Sequence, residues 1–326
     1  MINSDKRHVW LAVVNVFAAS RKAGSVWKKA AVMLNEAGVP YKAMFTGDGD
    51  NAIAIARKAA AKGYRKFIAV GGDGTVHDVL NGIMEFLAAE SCVSGISEFT
   101  LGVLPVGSGN DWVKSTGIHR NIRGAVAAIA AGKTGLQDVV KVSALDPADH
   151  SAAPLRVSYM ANIGGVGLDA RVCEIVNRKK GQGKRGKKLY VAALLYCIKH
   201  RMPVGAKIVC DGNVIFDGRY LSVAFGVGKY SGGGMRQTPL AELGDGLMDI
   251  TVIPDIPIWT IAKEVPKLFT GTFHEVDVLT LARGKDMLLV PYGEADAEPV
   301  EVDGEVVGRA PVRFEVLDSQ VNILMA

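Results

Sequence analysis

The stretch Phe67-Ile68-Ala69-Val70-Gly71-Gly72-Asp73-Gly74-Thr75-Val76 decides how the chain is read. Its first four residues form an apolar run, the pattern of a strand buried on both faces. Beyond Thr75, the residues Val76, Val79, Leu80, Ile83 and Leu87 fall on one face of a helix. Between strand and helix lies a loop rich in glycine. Glycine lets the backbone approach an anion with no Cβ in the way. The loop N–H groups and the positive end of the following helix then face that anion. A phosphate site follows from this reading, and a plain tight turn built on Asp-Gly is the alternative. Asp73 alone would repel phosphate, so an acid here suits a magnesium ion or a substrate hydroxyl.

A second loop has the same build. The strand residues Leu101–Pro105 lead into Val106-Gly107-Ser108-Gly109-Asn110-Asp111-Trp112. Ser108 offers a hydroxyl and Asn110 an amide, although a Gly-Ser turn with an Asn/Asp helix cap would look similar. Two such loops at the carboxyl ends of neighbouring strands would face one crevice.

Working outward, His8–Val16, Tyr41–Thr46 and Lys66–Val70 read as strands, and Val26–Ala37, Asn51–Lys62 and Thr75–Ala89 as helices. This alternation predicts a parallel sheet covered on both faces. After about Leu136 helical periodicity becomes rare, apart from Lys187–His200. Asp211-Gly212, Asp217-Gly218 and Asp303-Gly304 each stand between apolar or β-branched runs, as hairpin turns do. The fold class is therefore an N-terminal parallel-sheet α/β domain, residues 1–137, followed by a mainly antiparallel β-sandwich domain, residues 138–326. The C-terminal tail is a candidate to return to the first domain.

The 326 residues suit two domains, and their formal charge of +5 suits anionic partners but is too weak for nucleic acid. Cys92, Cys173, Cys197 and Cys210 form no C-x-x-C pair, which points to reduced thiols rather than zinc or disulfides. The apolar run Val9–Ala19 follows Lys6-Arg7 as a signal peptide would, but Asn15 interrupts it and it reads as a buried strand. Leu189–Ile198 falls well short of the ~20 residues of a membrane span. Seven basic residues between Arg178 and Lys188 form either a solvated loop, a contact to anionic headgroups or, through Lys184 or Arg185, a contact to phosphates.

The sequence resembles the catalytic-domain family of soluble diacylglycerol kinases, which includes sphingosine and ceramide kinases. The Gly-Gly-Asp-Gly-Thr loop is its signature, shared in similar form by NAD kinases and phosphofructokinases. Val103–Asp111 resembles the family's L-P-x-G-T-x-N-D loop, with Ser108 for threonine. Gly164–Ala170 is similar to G-x-G-x-D-A, Tyr230–Met235 to Y-x-G-G-G-M, Asp245–Asp249 to D-G-x-x-D, and Asp303-Gly304-Glu305 to D-G-E. The first loop departs, because Asn15-Val16-Phe17-Ala18-Ala19 lacks the proline and glycine of N-P-x-x-G.

The resemblance implies an ATP-dependent lipid kinase with ATP in a cleft between its domains. It implies a nucleotide site lined by Asn15 and its neighbours, Thr46, Gly71–His77 and Ser108, and Gly71, Gly72, Asp73, Gly74, Thr75 and Asn110 are taken with Asn15, Thr46 and Ser108 as the cofactor-binding residues. It implies a magnesium ion on Asp245 with backbone groups of Glu242 and Leu247, and Glu305 as proton acceptor supported by Asp303. His77, where the family often has Asn, reads as a packing residue. The expected partners are a lipid substrate and an anionic membrane surface met peripherally from the cytoplasm, with a homodimer left open. A kinase of a soluble substrate, such as NAD kinase, and a catalytically dead lipid-binding regulator are the alternatives.

Overall fold

The computed structural model describes residues 4–18, 23–47, 49–107, 109–182, 187–200 and 202–326. The chain divides into two compact units, Met1–Val139 with Asp318–Ala326, and Val140–Leu317.

In the first unit, strands β1 (Trp10–Val14), β2 (Tyr41–Phe45), β3 (Lys66–Gly71) and β4 (Thr100–Pro105) alternate with helices α1 (Ala23–Glu36), α2 (Ala52–Ala61) and α3 (Asp73–Ala89). Helices α4 (Trp112–Ser115) and α5 (Ile122–Ala131) and strand β5 (Thr134–Gln137) follow. The sheet order is β2-β1-β3-β4-β17-β5, where β17 is Val321–Leu324 near the end of the chain. Pairing is parallel from β2 through β17, and β5 runs antiparallel to β17. Every residue of β1 is buried, and so is every residue of β3 after Lys66. Such all-apolar strands need cover on both faces, which the alternating helices provide. Asn51 starts α2 by accepting the Ala54 N–H at 2.8 Å. From β1 the chain crosses one way to β2, and from β3 the other way to β4. That reversal opens a crevice outside the carboxyl ends of β1 and β3. Asn15, the Gly71 loop and the Val106 loop all emerge at that end.

The second unit holds an eleven-stranded sheet. Its strands are β6 (Val140–Ala144), β7 (Arg156–Met160), β8 (Ile163–Gly167), β9 (Val204–Cys210), β10 (Asn213–Gly226), β11 (Met248–Pro254), β12 (Thr280–Gly284), β13 (Asp286–Pro291), β14 (Pro299–Val302), β15 (Glu305–Arg309) and β16 (Val312–Val316). The order is β15-β14-β8-β10-β9-β13-β16-β6-β7, with β11 joining β10 and β12 joining β11. Each of these pairings is antiparallel. The sheet folds over a core that includes Met160, Val166, Tyr220, Phe225 and Phe314, and the last two rings lie 4.3 Å apart.

Two expectations need correction. Asp211-Gly212 and Asp303-Gly304 do turn hairpins, with φ of +47° and +79° and of +53° and +90°. Asp217-Gly218 does not. It lies inside β10, where the ladder to β9 is irregular between Val214 and Phe216, and Tyr292 Oη donates to the Asp217 carboxylate at 2.6 Å. The second unit is also more helical than its periodicity suggested. Helix α6 (Leu168–Gly181) precedes α7 (Lys187–Lys199), and α8 (Ile258–Glu264) and α9 (Lys267–Thr270) follow later. Val172 and Val176 of α6 pack with Ala193 and Cys197 of α7.

Gly82 of α3 marks the closest approach of two helices. A Cβ there would lie 2.3 Å from the Ile53 carbonyl oxygen of α2 and 2.8 Å from Ala56 Cβ. Alanine would improve helix propensity by up to about 1 kcal/mol, but overpacking costs about 1–3 kcal/mol. We expect the clash to win, so that Gly82→Ala lowers the urea midpoint at unchanged slope. A midpoint at or above wild type would contradict this packing.

Candidate functional site

The first unit gathers most of the expected nucleotide residues at the carboxyl edge of its sheet. Gly71 ends β3, and a Cβ on it would lie 2.1 Å from Thr75 Oγ1. The bare α-carbon lets Thr75, buried in the first turn of α3, fold back beneath the loop. There Thr75 Oγ1 accepts from Asn15 Nδ2 at 3.1 Å. Asn15 also accepts the Phe17 N–H on its side-chain oxygen at 3.1 Å, and Thr46 Oγ1 accepts the Val16 N–H at 3.2 Å. The first loop therefore stays pinned at Asn15 without the family's proline. Ala19, at its end, lies outside the described residues.

The two glycine loops meet backbone to backbone. A Cβ on Gly107 would lie 2.8 Å from Gly72 Cα, and one on Gly72 would lie 3.3 Å from Gly107 Cα. The Val106 N–H donates to the Gly71 carbonyl at 2.8 Å. Asp73 reinforces the junction by accepting the Trp112 N–H on Oδ1 at 2.9 Å. Asn110, at φ +49°, turns its amide on its own loop. Its Oδ1 accepts the Gly107 N–H at 2.9 Å, and its Nδ2 donates to the Gly107 carbonyl at 3.0 Å. Its part is thus to shape the loop. Gly74 sits half-buried in the first turn of α3, whose cap position, Gly72, makes no side-chain cap bond. Ser108 lies outside the described residues. His77 is buried against Asn81, whose Nδ2 donates to the His77 carbonyl at 2.9 Å.

In the second unit Asp303 and Glu305 share the β14–β15 turn and do different things. Glu305 is exposed at the tip. The Asp303 carboxylate faces inward and accepts the N–H groups of Ala161 (2.9 Å), Asn162 (2.9 Å) and Ile163 (3.3 Å). Asp303 is therefore the anchor of the turn. Asn162 extends the anchorage to the glycine segment 230–235 through a 2.7 Å bond to the Tyr230 carbonyl.

Two buried acids complete this region. Asp169 opens α6 and accepts from Ser222 Oγ at 2.8 Å. Burial pushes its carboxyl up, against the hydrogen bonds from Ser222 and Gln237. Glu301, which was not expected from the sequence, is only 7% exposed. Burial pushes its carboxyl well above the usual range, and the neighbouring Asp169, Asp303 and Glu305 charges add to this, while the Gly304 N–H opposes it. A Cβ on Gly165 would lie 3.2 Å from Asp169 Cβ and 3.4 Å from Glu301 Oε1, so the bare glycine leaves room for both acids. Glu301 reads as an outward strand position in Val300-Glu301-Val302, and nothing in that alternation signals burial. Asp169, Ser222 and Gln237 also line a narrow cavity of about 60 Å³. Its walls are otherwise mostly apolar, with Leu194 and Ile198 from α7 and Ile261, Val265 and Phe273 opposite in sequence, and Glu264 as a further polar lining residue.

The expected metal turn is engaged differently. Asp245 Oδ1 accepts the Leu247 N–H at 3.1 Å, and its Oδ2 pairs with Arg283. Arg283 also reaches Asp249 at 3.2 Å. Glu242 is exposed nearby in sequence. Among the described residues no group of three or more His, Cys, Asp or Glu could hold a metal ion. The guanidinium thus pairs with the acids of this turn, while the expected donor set, one carboxylate with backbone groups of Glu242 and Leu247, is of a different kind from such a cluster. Of the basic run, residues 183–186, which include Lys184 and Arg185, lie outside the described residues.

A parallel sheet with paired glycine loops is thus followed by an antiparallel sandwich with an Asp-Gly-Glu turn. Residues 9–142 match the family described as diacylglycerol kinase catalytic domain, and residues 162–325 the one described as YegS C-terminal NAD kinase beta sandwich-like domain. The chain belongs to this family of diacylglycerol kinase and YegS-like lipid kinase relatives. It is 24% identical over 314 residues to a diacylglycerol kinase of Mycobacterium tuberculosis (strain ATCC 25618 / H37Rv), covering 96% of this chain and 94% of that one. It is 26% identical over 316 residues to the Pseudomonas aeruginosa PAO1 protein named "Probable lipid kinase YegS-like", covering 93% and 91%. A crystal structure of a diacylglycerol kinase from Bacillus anthracis str. Sterne superposes with a TM-score of 0.70 at 21% identity, over 98% of this chain and 97% of that one. A structure from the same organism titled "Crystal structure of a putative diacylglycerol kinase" reaches 0.77 at 23% identity, over 99% and 98%.

The raised Glu301 carboxyl has a consequence for stability. Below about pH 4.3, the ordinary glutamate value, both folded and unfolded chains hold the proton. As pH rises past that value the unfolded chain ionises first, so stability is lost until the folded carboxyl also ionises. Glu301→Gln keeps an acceptor for the Gly304 N–H and removes this ionisation. We expect wild type to lose more stability than Glu301→Gln between about pH 5 and about pH 8 in urea unfolding. Equal losses would show that Glu301 is not held protonated.

Proposed function

We propose that the chain is an ATP-dependent lipid kinase that moves the γ-phosphate of ATP to a lipid hydroxyl. The observation that carries this reading is the cavity of the second unit. Its lining is mostly apolar, as an acceptor with an alkyl chain requires, with Asp169, Ser222 and Gln237 among its polar members, and its about 60 Å³ must widen for such a chain to enter.

Phosphoryl transfer depends on positioning and charge neutralisation more than on covalent chemistry. On this reading the Gly71–Thr75 loop and the 106–110 loop hold the ATP phosphates, with Asn15 and Thr46 fixing the backbone beside them. Magnesium, when bound with ATP, neutralises phosphate charge, and Asp73 is the loop acid suited to hold it directly or through water. Glu305 takes the proton of the lipid hydroxyl. The new bond joins that oxygen to the γ-phosphorus, the bond from the γ-phosphorus to the bridging oxygen breaks, and ADP leaves. Asp303 acts through the turn it anchors.

The lipid must be met at a surface. No helix among the described residues is long and apolar enough to cross a membrane. The basic run Arg178–Lys188 would draw the chain to anionic headgroups at ~1 kcal/mol per charge near the surface. We expect flotation with anionic liposomes to weaken as salt rises, and salt-independent flotation would assign the run another role.

The direct test is Glu305→Gln, assayed with radiolabelled ATP and a lipid acceptor. An exposed hairpin-tip residue leaves fold and ATP affinity unchanged, while loss of a general base cuts turnover by ~10²–10⁴-fold. Wild-type turnover by Glu305→Gln would remove Glu305 from the mechanism.

A further inference from the structure

The two peptide groups that flank Gly304 are both held by side chains. The Gly304 N–H donates to Glu301 Oε2 at 2.9 Å. The Gly304 carbonyl accepts from Asn177 Nδ2 at 3.0 Å and from the Cys173 thiol at 2.8 Å. A two-residue Asp-Gly turn with positive φ at both positions closes a hairpin without outside help. Tips of such hairpins are normally solvated, and Gly304 and Glu305 are indeed exposed. Three side-chain bonds to the backbone of one exposed residue therefore do more than close the turn. Glycine leaves φ and ψ free to turn, and fixing the peptide planes on both sides of its α-carbon fixes the direction in which the next residue leaves.

The two carbonyl donors share a helix with the cavity. Asp169, Cys173 and Asn177 are spaced four residues apart on α6, so they lie along one face. The first lines the cavity and the other two hold the turn. One rigid element thus sets both the polar lining offered to an acceptor and the orientation of the turn that carries Glu305.

We propose that Asn177 and Cys173 are positioning residues for Glu305, acting through the Gly304 carbonyl. This rests on Glu305 as the proton acceptor of a lipid kinase. It predicts a loss confined to turnover, because neither side chain is placed against ATP or the acceptor.

The test compares wild type, Cys173→Ala/Asn177→Leu and Cys173→Ser/Asn177→Leu in the labelled-ATP lipid assay, with thermal midpoints measured for each. Small misplacements of a catalytic group cost up to ~10²-fold. We expect the Ala/Leu variant to lose roughly that much in kcat with KM for ATP unchanged. The Ser/Leu variant, which restores one hydroxyl donor, should regain most of the loss. Wild-type kcat in the Ala/Leu variant, or no recovery with serine, overturns the inference while leaving the kinase reading intact. If the Ala/Leu variant does not fold, Asn177→Leu alone is scored by the same kcat and KM criteria. A wild-type chain that labels no lipid overturns the kinase reading and this inference with it.

Discussion

The contact of Gly72 with Gly107 is the constraint on which the nucleotide side of the molecule depends. Two loops from neighbouring strands approach until their backbones touch, and a side chain on either would push them apart. Once they touch, the bond from Val106 to the Gly71 carbonyl and the bond from Trp112 to Asp73 lock them. The glycines at this junction lose more conformational freedom on folding than other residues would. Asp73 is thus both a candidate for metal binding and a strut between the loops, so its removal would disturb geometry as well as charge.

The second unit is organised by acids taken out of water. Glu301 and Asp169 are buried beside the bare Gly165, and Asp303 is saturated by three backbone donors. Only Glu305 of this group is left exposed. Burial and hydrogen bonding separate these carboxyls into distinct roles. Those fixed by backbone donors shape the turn, those raised by burial favour the neutral form, and the exposed one is left open to solvent.

Much of this was legible in the sequence where local chemistry and global fold agree. The run Phe67–Val70, the glycines after it and the cap at Asn51 each specify one local conformation, and the parallel sheet follows. Family motifs marked Asp303 and Glu305, but not that one anchors while the other faces solvent, since both fit an Asp-Gly-Glu turn equally well. Asp217-Gly218 carried the same hairpin signal as Asp211-Gly212, yet the long ladder from β9 to β10 overrides it. Helix α6 was hidden because its apolar positions Val172 and Val176 are diluted by Arg171, Glu174, Asn177 and the basic run, and only α7 completes its core. Glu301 was invisible for a similar reason. Its burial is created by a glycine on another strand, more than a hundred residues earlier in the chain.

The central claim is that these two units together phosphorylate a lipid. The chain should be incubated with γ-labelled ATP, magnesium and a panel of extracted lipids, and the products partitioned between organic solvent and water. The account predicts label in the organic phase, on a lipid that carries a free hydroxyl. Label confined to the aqueous phase, on a nucleotide or another soluble acceptor, would contradict it.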